Sequence, residues 1–124
     1  MANPSAGFGG AGTEVLRRHY VDGGGEGEST VLLGVANHIM TVISIIIVDR
    51  SLNADAVFDL YVDADLGGSD VYLASNQACG SRSTFVWNDR FVITETDKII
   101  ILPSSVAGTA QYDVWTTYID QQLA

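Results

Sequence analysis

The residues able to do chemistry are few and scattered. The two histidines, His19 and His38, lie far apart, and the single cysteine is Cys79. No H-x-x-x-H, C-x-x-C or comparable ligand spacing joins them, so no metal site is expected. A cysteine nucleophile needs a histidine close in space. His38 is the only candidate beyond the first 28 residues, and Cys79 reads as a structural thiol. In "DADLGGSD", Asp63, Asp65 and Asp70 match the oxygen-rich start of a calcium loop, with Gly68 at its sixth position. The twelfth position, where a bidentate glutamate belongs, is Ala74. A solvated hairpin tip is therefore the better reading.

No G-x-S-x-G, P-loop or H-E-x-x-H motif is present. Fifteen carboxylates allow a glycosidase acid pair on count alone, but they fall mostly at strand ends and loop tips, where solvated charge is expected. No catalytic residue, metal or cofactor is assigned, and the chain is not expected to be an enzyme. Tyr61, Trp87 and Trp115 are the candidate surface aromatics. They serve either as a sugar-stacking platform or, more commonly for such rings, in core and subunit packing. Arg17, Arg18 and His19 form the one basic cluster of a chain with 6 basic and 15 acidic residues, net charge −9. That cluster suits an acidic patch on a partner or on a second copy. The overall charge disfavours nucleic acid and anionic membranes as partners.

Two regions must position these groups. Residues 1–28 hold 8 of the 13 glycines, poor material for helix or strand interiors. They are expected to form a flexible Gly-rich N-terminal arm. Within it, "TEVLRRHYV" (13–21) is either one short strand or a turn or two of helix, docked rather than self-stable. Val15, Leu16, Arg17, Arg18 and Tyr20 are its expected partner-binding residues, with Val21 as a further apolar anchor. Deleting residues 1–27 is expected to leave the remainder folded. "MANPSAGFGGAG" has neither a basic nor an apolar leader segment, so no secretory signal is expected and Met1 is taken as the natural start. One cysteine allows no internal disulfide, which fits folding in a reducing cytoplasm.

Residues 29–124 read as a β-sandwich domain. "HIMTVISIIIVDR" (38–50) is too short for a spanning helix, and its isoleucines, valines and threonine favour a strand. Strict alternation puts Ile39, Thr41, Ile43, Ile45 and Ile47 on one face and Met40, Val42, Ser44, Ile46 and Val48 on the other. Both faces are largely apolar, so one should be covered by the arm or a neighbouring subunit. "STVLLGVA", "VFDLYVDA", "VYLA", "STFVWN", "RFVIT", "DKIIIL" and "QYDVWTTYID" supply further strands, and "DLGGSD" a hairpin turn. Short strands at this spacing indicate an all-β fold, an antiparallel β-sandwich or jelly-roll-like barrel.

Two stretches, "VYLASNQACGSRSTFVWNDRFVITETDKIIIL" (71–102) and "NHIMTVISIIIVDRSLNADAVFDLYV" (37–62), bear on role. In their order of strands and turns they resemble a loosely defined group of small β-sandwich virion proteins of tailed bacteriophages. These are decoration, neck or tail-associated proteins. The chain departs from that group at "ACGS" (78–81), where a proline is often found. The resemblance implies a non-enzymatic virion structural protein, above all a capsid decoration or cement protein. The alternatives are a neck or tail-associated component, or a carbohydrate-binding module displayed on the particle. It implies the major capsid protein or neck and tail proteins as partners, and self-association, for instance as a trimer. The expected location is the virion, assembled in the host cytoplasm.

Overall fold

The computed structural model describes residues 13–51, 56–65, 67–106 and 108–123. Nine strands are present among them and no helix: β1 (Thr13–Gly24), β2 (Ser29–Leu33), β3 (His38–Asp49), β4 (Val57–Asp63), β5 (Asp70–Ala78), β6 (Thr84–Trp87), β7 (Phe91–Ile93), β8 (Lys98–Ser104) and β9 (Tyr112–Gln122). They form two antiparallel sheets, a β-sandwich. One runs β1-β9-β3-β6, with β7 also paired to β3; the other runs β2-β8-β4-β5. The segments β6 and β7 lie in turn along the same side of β3. The chain changes sheet at almost every connection; only β4–β5 and β6–β7 stay within one.

The inner faces meet in one core. Val42, Ile45 and Ile47 of β3, Phe58 and Leu60 of β4, Ile99 and Ile101 of β8, and Tyr112 of β9 are fully buried there. Phe58 sits at its centre, edge-on to Phe85 at 5.3 Å and to Tyr112 at 5.4 Å between ring centroids. Each fully buried side chain of this size contributes about 1.5–3 kcal/mol. The alternation expected in β4 is present, with Phe58 and Leu60 inward. Pro103 lies within β8, but β2 pairs only with Lys98 to Ile101. At Pro103, β8 therefore has β4 alone beside it, and the missing N–H disrupts no ladder on the other side.

Three expectations need correction. The first concerns the arm. Residues 13–24 are not separate from the sandwich: β1 pairs with β9 in register from Thr13↔Gln122 to Val21↔Val114. Glycines at 23, 24, 25 and 27 surround the β1–β2 turn rather than making a tail, and Gly23 and Gly27 take φ of 69° and 91° there. Deleting residues 1–27 would thus remove a strand of the sheet. The remaining arm residues, 1–12, lie outside those described. The second concerns β3. A bulge between Val42 and Ser44 shifts its register against β9, so the inward residues are Met40, Val42, Ile45, Ile47 and Asp49. The extra residue moves the inward set from even to odd positions halfway along the strand. The third concerns length. β2 stops at Leu33 instead of running through Gly34, and β5 extends to Ala78. The β4–β5 hairpin turns where "DLGGSD" placed it, closed by Ala64 N–H to Ser69 O at 2.9 Å, with Gly67 at φ 87°. No helix among the described residues is long and apolar enough to cross a membrane.

Candidate interaction surface

The outer face of the five-stranded sheet carries two apolar rows, exposed among the described residues, with Arg18, Thr117 and Ser44 aligned between them. Strand pairing aligns Tyr20 with Trp115, Trp115 with Ile46, and Ile46 with Val86, one residue from each of four strands. Their exposures are 52%, 45%, 36% and 52%. A second row, four residues along β1 and β9, aligns Leu16, Ile119, Thr41 and Val92. Leu16 and Val92 are also exposed. Such rows of cross-strand neighbours pack together on a pleated surface. Tyr20 and Trp115 stack with ring centroids 5.9 Å apart and planes 14° apart. The Arg18 guanidinium carbon is 5.2 Å from one ring centre and 5.3 Å from the other, a cation–π arrangement that holds both rings. Beside them a hollow of about 210 Å³ is lined by Tyr20, Ile46, Val48 and Trp115.

Apart from Arg18, the charges near this face lie at its margins. At one end Arg50 Nη1 lies 3.3 Å from Asp113 and 3.5 Å from Asp22, and Asp113 also accepts the Gly23 N–H at 2.7 Å. Strand alternation divides the basic cluster read from the sequence. Leu16, Arg18 and Tyr20 point outward, while Arg17 and His19 point to the other side of β1. Arg17 Nε donates to Asp120 at 3.0 Å, and His38 Nδ1 lies 2.6 Å from the same carboxylate. His19 Nδ1 lies 2.7 Å from the Val31 carbonyl oxygen. Val15 is half-buried in the strand.

The three aromatics singled out in the sequence do not share a surface. Trp115 is on the face that carries the apolar rows. Trp87 is half-buried, donates its indole N–H to Asp89 O at 2.9 Å, and packs edge-on to Phe91. Tyr61 is on the outer side of the other sheet, only 4% exposed, beside Tyr72. Its hydroxyl donates to the Glu28 carboxylate, and burial foremost, then that hydrogen bond, raises its pKa. A sugar platform built from Tyr61, Trp87 and Trp115 therefore has no common plane. The residues that join Trp115 instead are Tyr20, Ile46 and Val86. The apolar second side of β3 was a signal for Ile46; nothing in the sequence marked Val86 or Val92.

The remaining polar clusters serve the fold. Asp97 braces the turn between β7 and β8, accepting from Thr94 N–H at 2.9 Å and from Asp65 N–H at 3.2 Å. Asp63 lies 3.8 Å from Lys98. Among the described residues, no group of three or more His, Cys, Asp or Glu side chains is placed to hold a metal ion. Cys79 donates to Ser83 O near the end of β3 that carries Asp49. His38 begins the same strand, roughly 35 Å away at strand rise. No cysteine–histidine pair forms. Burial pushes the Cys79 thiol pKa up, the wrong direction for a nucleophile.

No family model matches the chain, and no curated protein matches it in sequence. Solved structures do match in fold. The VP2 protein of infectious bursal disease virus, as its D431N mutant in derived T=1 particles, aligns with a TM-score of 0.50 and 12% identity over 87% of this chain. The chain spans about a third of that protein, 32% of its length. The subunit of Bacillus endospore appendages, described as disulfide-linked pili, aligns at 0.46 and 15% identity over 93% of both chains. A pentameric capsid protein from metagenomic phage sequences aligns at 0.40 and 13% identity, over 86% of this chain and 61% of its own.

Proposed function

We propose that this chain is a non-enzymatic structural protein of a virus particle. It works by packing against other protein surfaces rather than by turning over a substrate. The observation that carries the reading is the winding of the strands. With β6 and β7 counted as one broken strand position, the sheets run 1-9-3-6/7 and 2-8-4-5. That is the order of an eight-stranded jelly roll, an architecture that viral capsid domains use. Lectins and cupins use it too, so the winding alone fixes no activity. Two further points favour the particle. The fold likeness to VP2 is to a protein that builds particles. The exposed apolar rows offer an assembly surface.

Within that reading, a capsid decoration or cement protein fits best. An acidic sandwich with one exposed apolar face suits attachment to a shell, and its partner would be the major capsid protein. A neck or tail-associated component is the second reading, since both positions need the same kind of contact surface. The test is to raise antibodies against the purified chain and probe gradient-banded particles from the source of the sequence. The chain is expected to co-sediment with particles and to label their shell. Its presence only in the soluble fraction of infected cells would overturn the reading.

A further inference from the structure

We propose that two copies of this chain pack face to face through the outer surface of the five-stranded sheet. The two-fold axis runs along the strands, between β9 and β3. This deepens the particle-subunit reading and rests on it in one respect: the work of the chain is taken to be protein–protein contact.

Three observations select a second copy as the occupant. The first is charge. The chain carries a net −9, so two copies repel over most of their surfaces. The rows Tyr20–Trp115–Ile46–Val86 and Leu16–Ile119–Thr41–Val92 contain no ionisable acid or base other than the Tyr20 phenol. Arg18, between the rows on the edge strand, holds its guanidinium against the Tyr20 and Trp115 rings, so the patch carries one positive charge between its rows and no carboxylate there. This is the face on which like copies meet with least repulsion.

The second is area. Four strands about 4.8 Å apart, paired over about ten residues of 3.3 Å rise, present roughly 650 Å² of flat surface. Side-chain relief brings this close to the ~800 Å² that each partner contributes to a standard interface.

The third is shape. The first row is graded from large to small: Tyr20 and Trp115 on β1 and β9, then Ile46 and Val86 on β3 and β6. An axis along the strands between β9 and β3 sets each half of the row on the opposite half of the other copy. Tyr20 then lies over Val86 of the second copy, and Trp115 over Ile46 of the second copy. The same operation sets Leu16 over Val92. In the first row bulky rings face smaller aliphatics, a self-complementary arrangement that suits an isologous contact. Packed sheets of this kind align to within about 30°, so the rows stay superposed near the axis.

The test uses the full chain in sedimentation equilibrium across the micromolar range. The parent is expected to be a dimer. Trp115→Glu and Val86→Glu are expected to be monomeric, with thermal melting still cooperative. Val71→Glu, at a 55% exposed position on β5 of the other sheet, is expected to remain a dimer. A monomeric parent, or a dimer that survives both face variants, overturns the proposal. The axis is tested in a Cys79→Ser background with a short bis-maleimide. Mixing Tyr20→Cys chains with Val86→Cys chains is expected to give covalent dimers, and neither alone should, because the axis sets each position three strand spacings, roughly 14 Å, from its own copy. Efficient self-linking of Tyr20→Cys would sink the axis. A dimer absent from particles defeats the particle reading and leaves the dimer standing; a particle-bound monomer does the reverse.

Discussion

Adding one methyl group at Gly34 would place it inside the turn that leads from β7 to β8. A Cβ at that position lies 2.1 Å from the Thr94 carbonyl oxygen, 2.7 Å from the Asp97 carbonyl oxygen and 3.1 Å from the Glu95 carbonyl carbon. Carbon and oxygen approach comfortably only to about 3.3 Å, so the backbone must part by roughly 1 Å. The obstacle cannot yield as a flexible side chain would. Asp97 N–H donates to Thr94 O at 3.0 Å, and the Asp97 carboxylate accepts from Thr94 N–H at 2.9 Å. Gly34 N–H itself donates to Asp97 O at 2.9 Å, a bond worth about 1 kcal/mol that the displacement breaks. Overpacking of this kind costs about 1–3 kcal/mol. Gly34→Ala is therefore expected to lose about 2–4 kcal/mol, a fall of roughly 8–16 °C in Tm at this chain length. Gly25→Ala is the control: its nearest contact would be Ala110 O at 3.8 Å. There the lower entropy of the unfolded chain should leave stability unchanged or raise it by up to about 1 kcal/mol. Urea unfolding followed by tryptophan fluorescence measures both. If Gly34→Ala unfolds within about 1 kcal/mol of the parent, the steric reasoning is wrong.

A chain shortened to begin at residue 28 lacks β1 and leaves one edge of β9 unpaired. Cooperative melting is expected to disappear, and a parent-like transition by circular dichroism would show that β1 is dispensable. Because burial raises the Cys79 thiol pKa, its thiolate fraction at mild alkaline pH is below that of a free thiol. Alkylation by iodoacetamide should run slower in the native chain than in urea, and equal rates would contradict this. Burial is also the largest cause raising the phenol pKa values of Tyr61, Tyr112 and Tyr118. In the unfolded chain these phenols ionise near pH 10. Unfolding therefore releases their protons above that pH, so the stability they contribute is intact below about pH 10 and falls as pH rises further. A urea midpoint unchanged between about pH 9 and pH 11 would refute it.

Much of the fold was legible because it rests on local chemistry. β-branched runs, period-two alternation in "VFDLYV" and the glycines of "DLGGSD" each determine their own element. What escaped the sequence depends on partners distant along the chain. The glycine density of residues 1–28 read as an arm, yet "TEVLRRHYV" finds β9 about a hundred residues later and becomes a sheet strand. A bulge is invisible in a run where nearly every residue is apolar. "HIMTVISIIIVDR" tolerates either register, and only pairing with β9 decides that Ile45 and Ile47 turn inward while Ile46 faces out. The candidate surface was half-legible for the same reason. Leu16, Arg18, Tyr20 and Trp115 were named, but as two unrelated features. Only the register of β1 on β9 brings Tyr20 beside Trp115.

The bulge in β3 also accounts for the surface. With strict alternation along the whole strand, Ile45 and Ile47 would share a side with Ile39 and Thr41, opposite Met40 and Val42. The inserted residue instead lets Met40 and Val42 at one end and Ile45 and Ile47 at the other fill the same core. Large apolar residues thus face inward along most of the strand, and Ile46 and Val48 remain for the outside. A sandwich that functioned alone would gain by placing polar residues there, as antiparallel sheets with one solvated face commonly do. Fifteen acids were available to the chain, and those among the described residues lie elsewhere or at the ends of this face. Repulsion on the other surfaces and a nearly neutral patch here act together: the first discourages random association, and the second gives association one direction. That pairing of properties is what a subunit needs if it is to join other proteins in a fixed orientation.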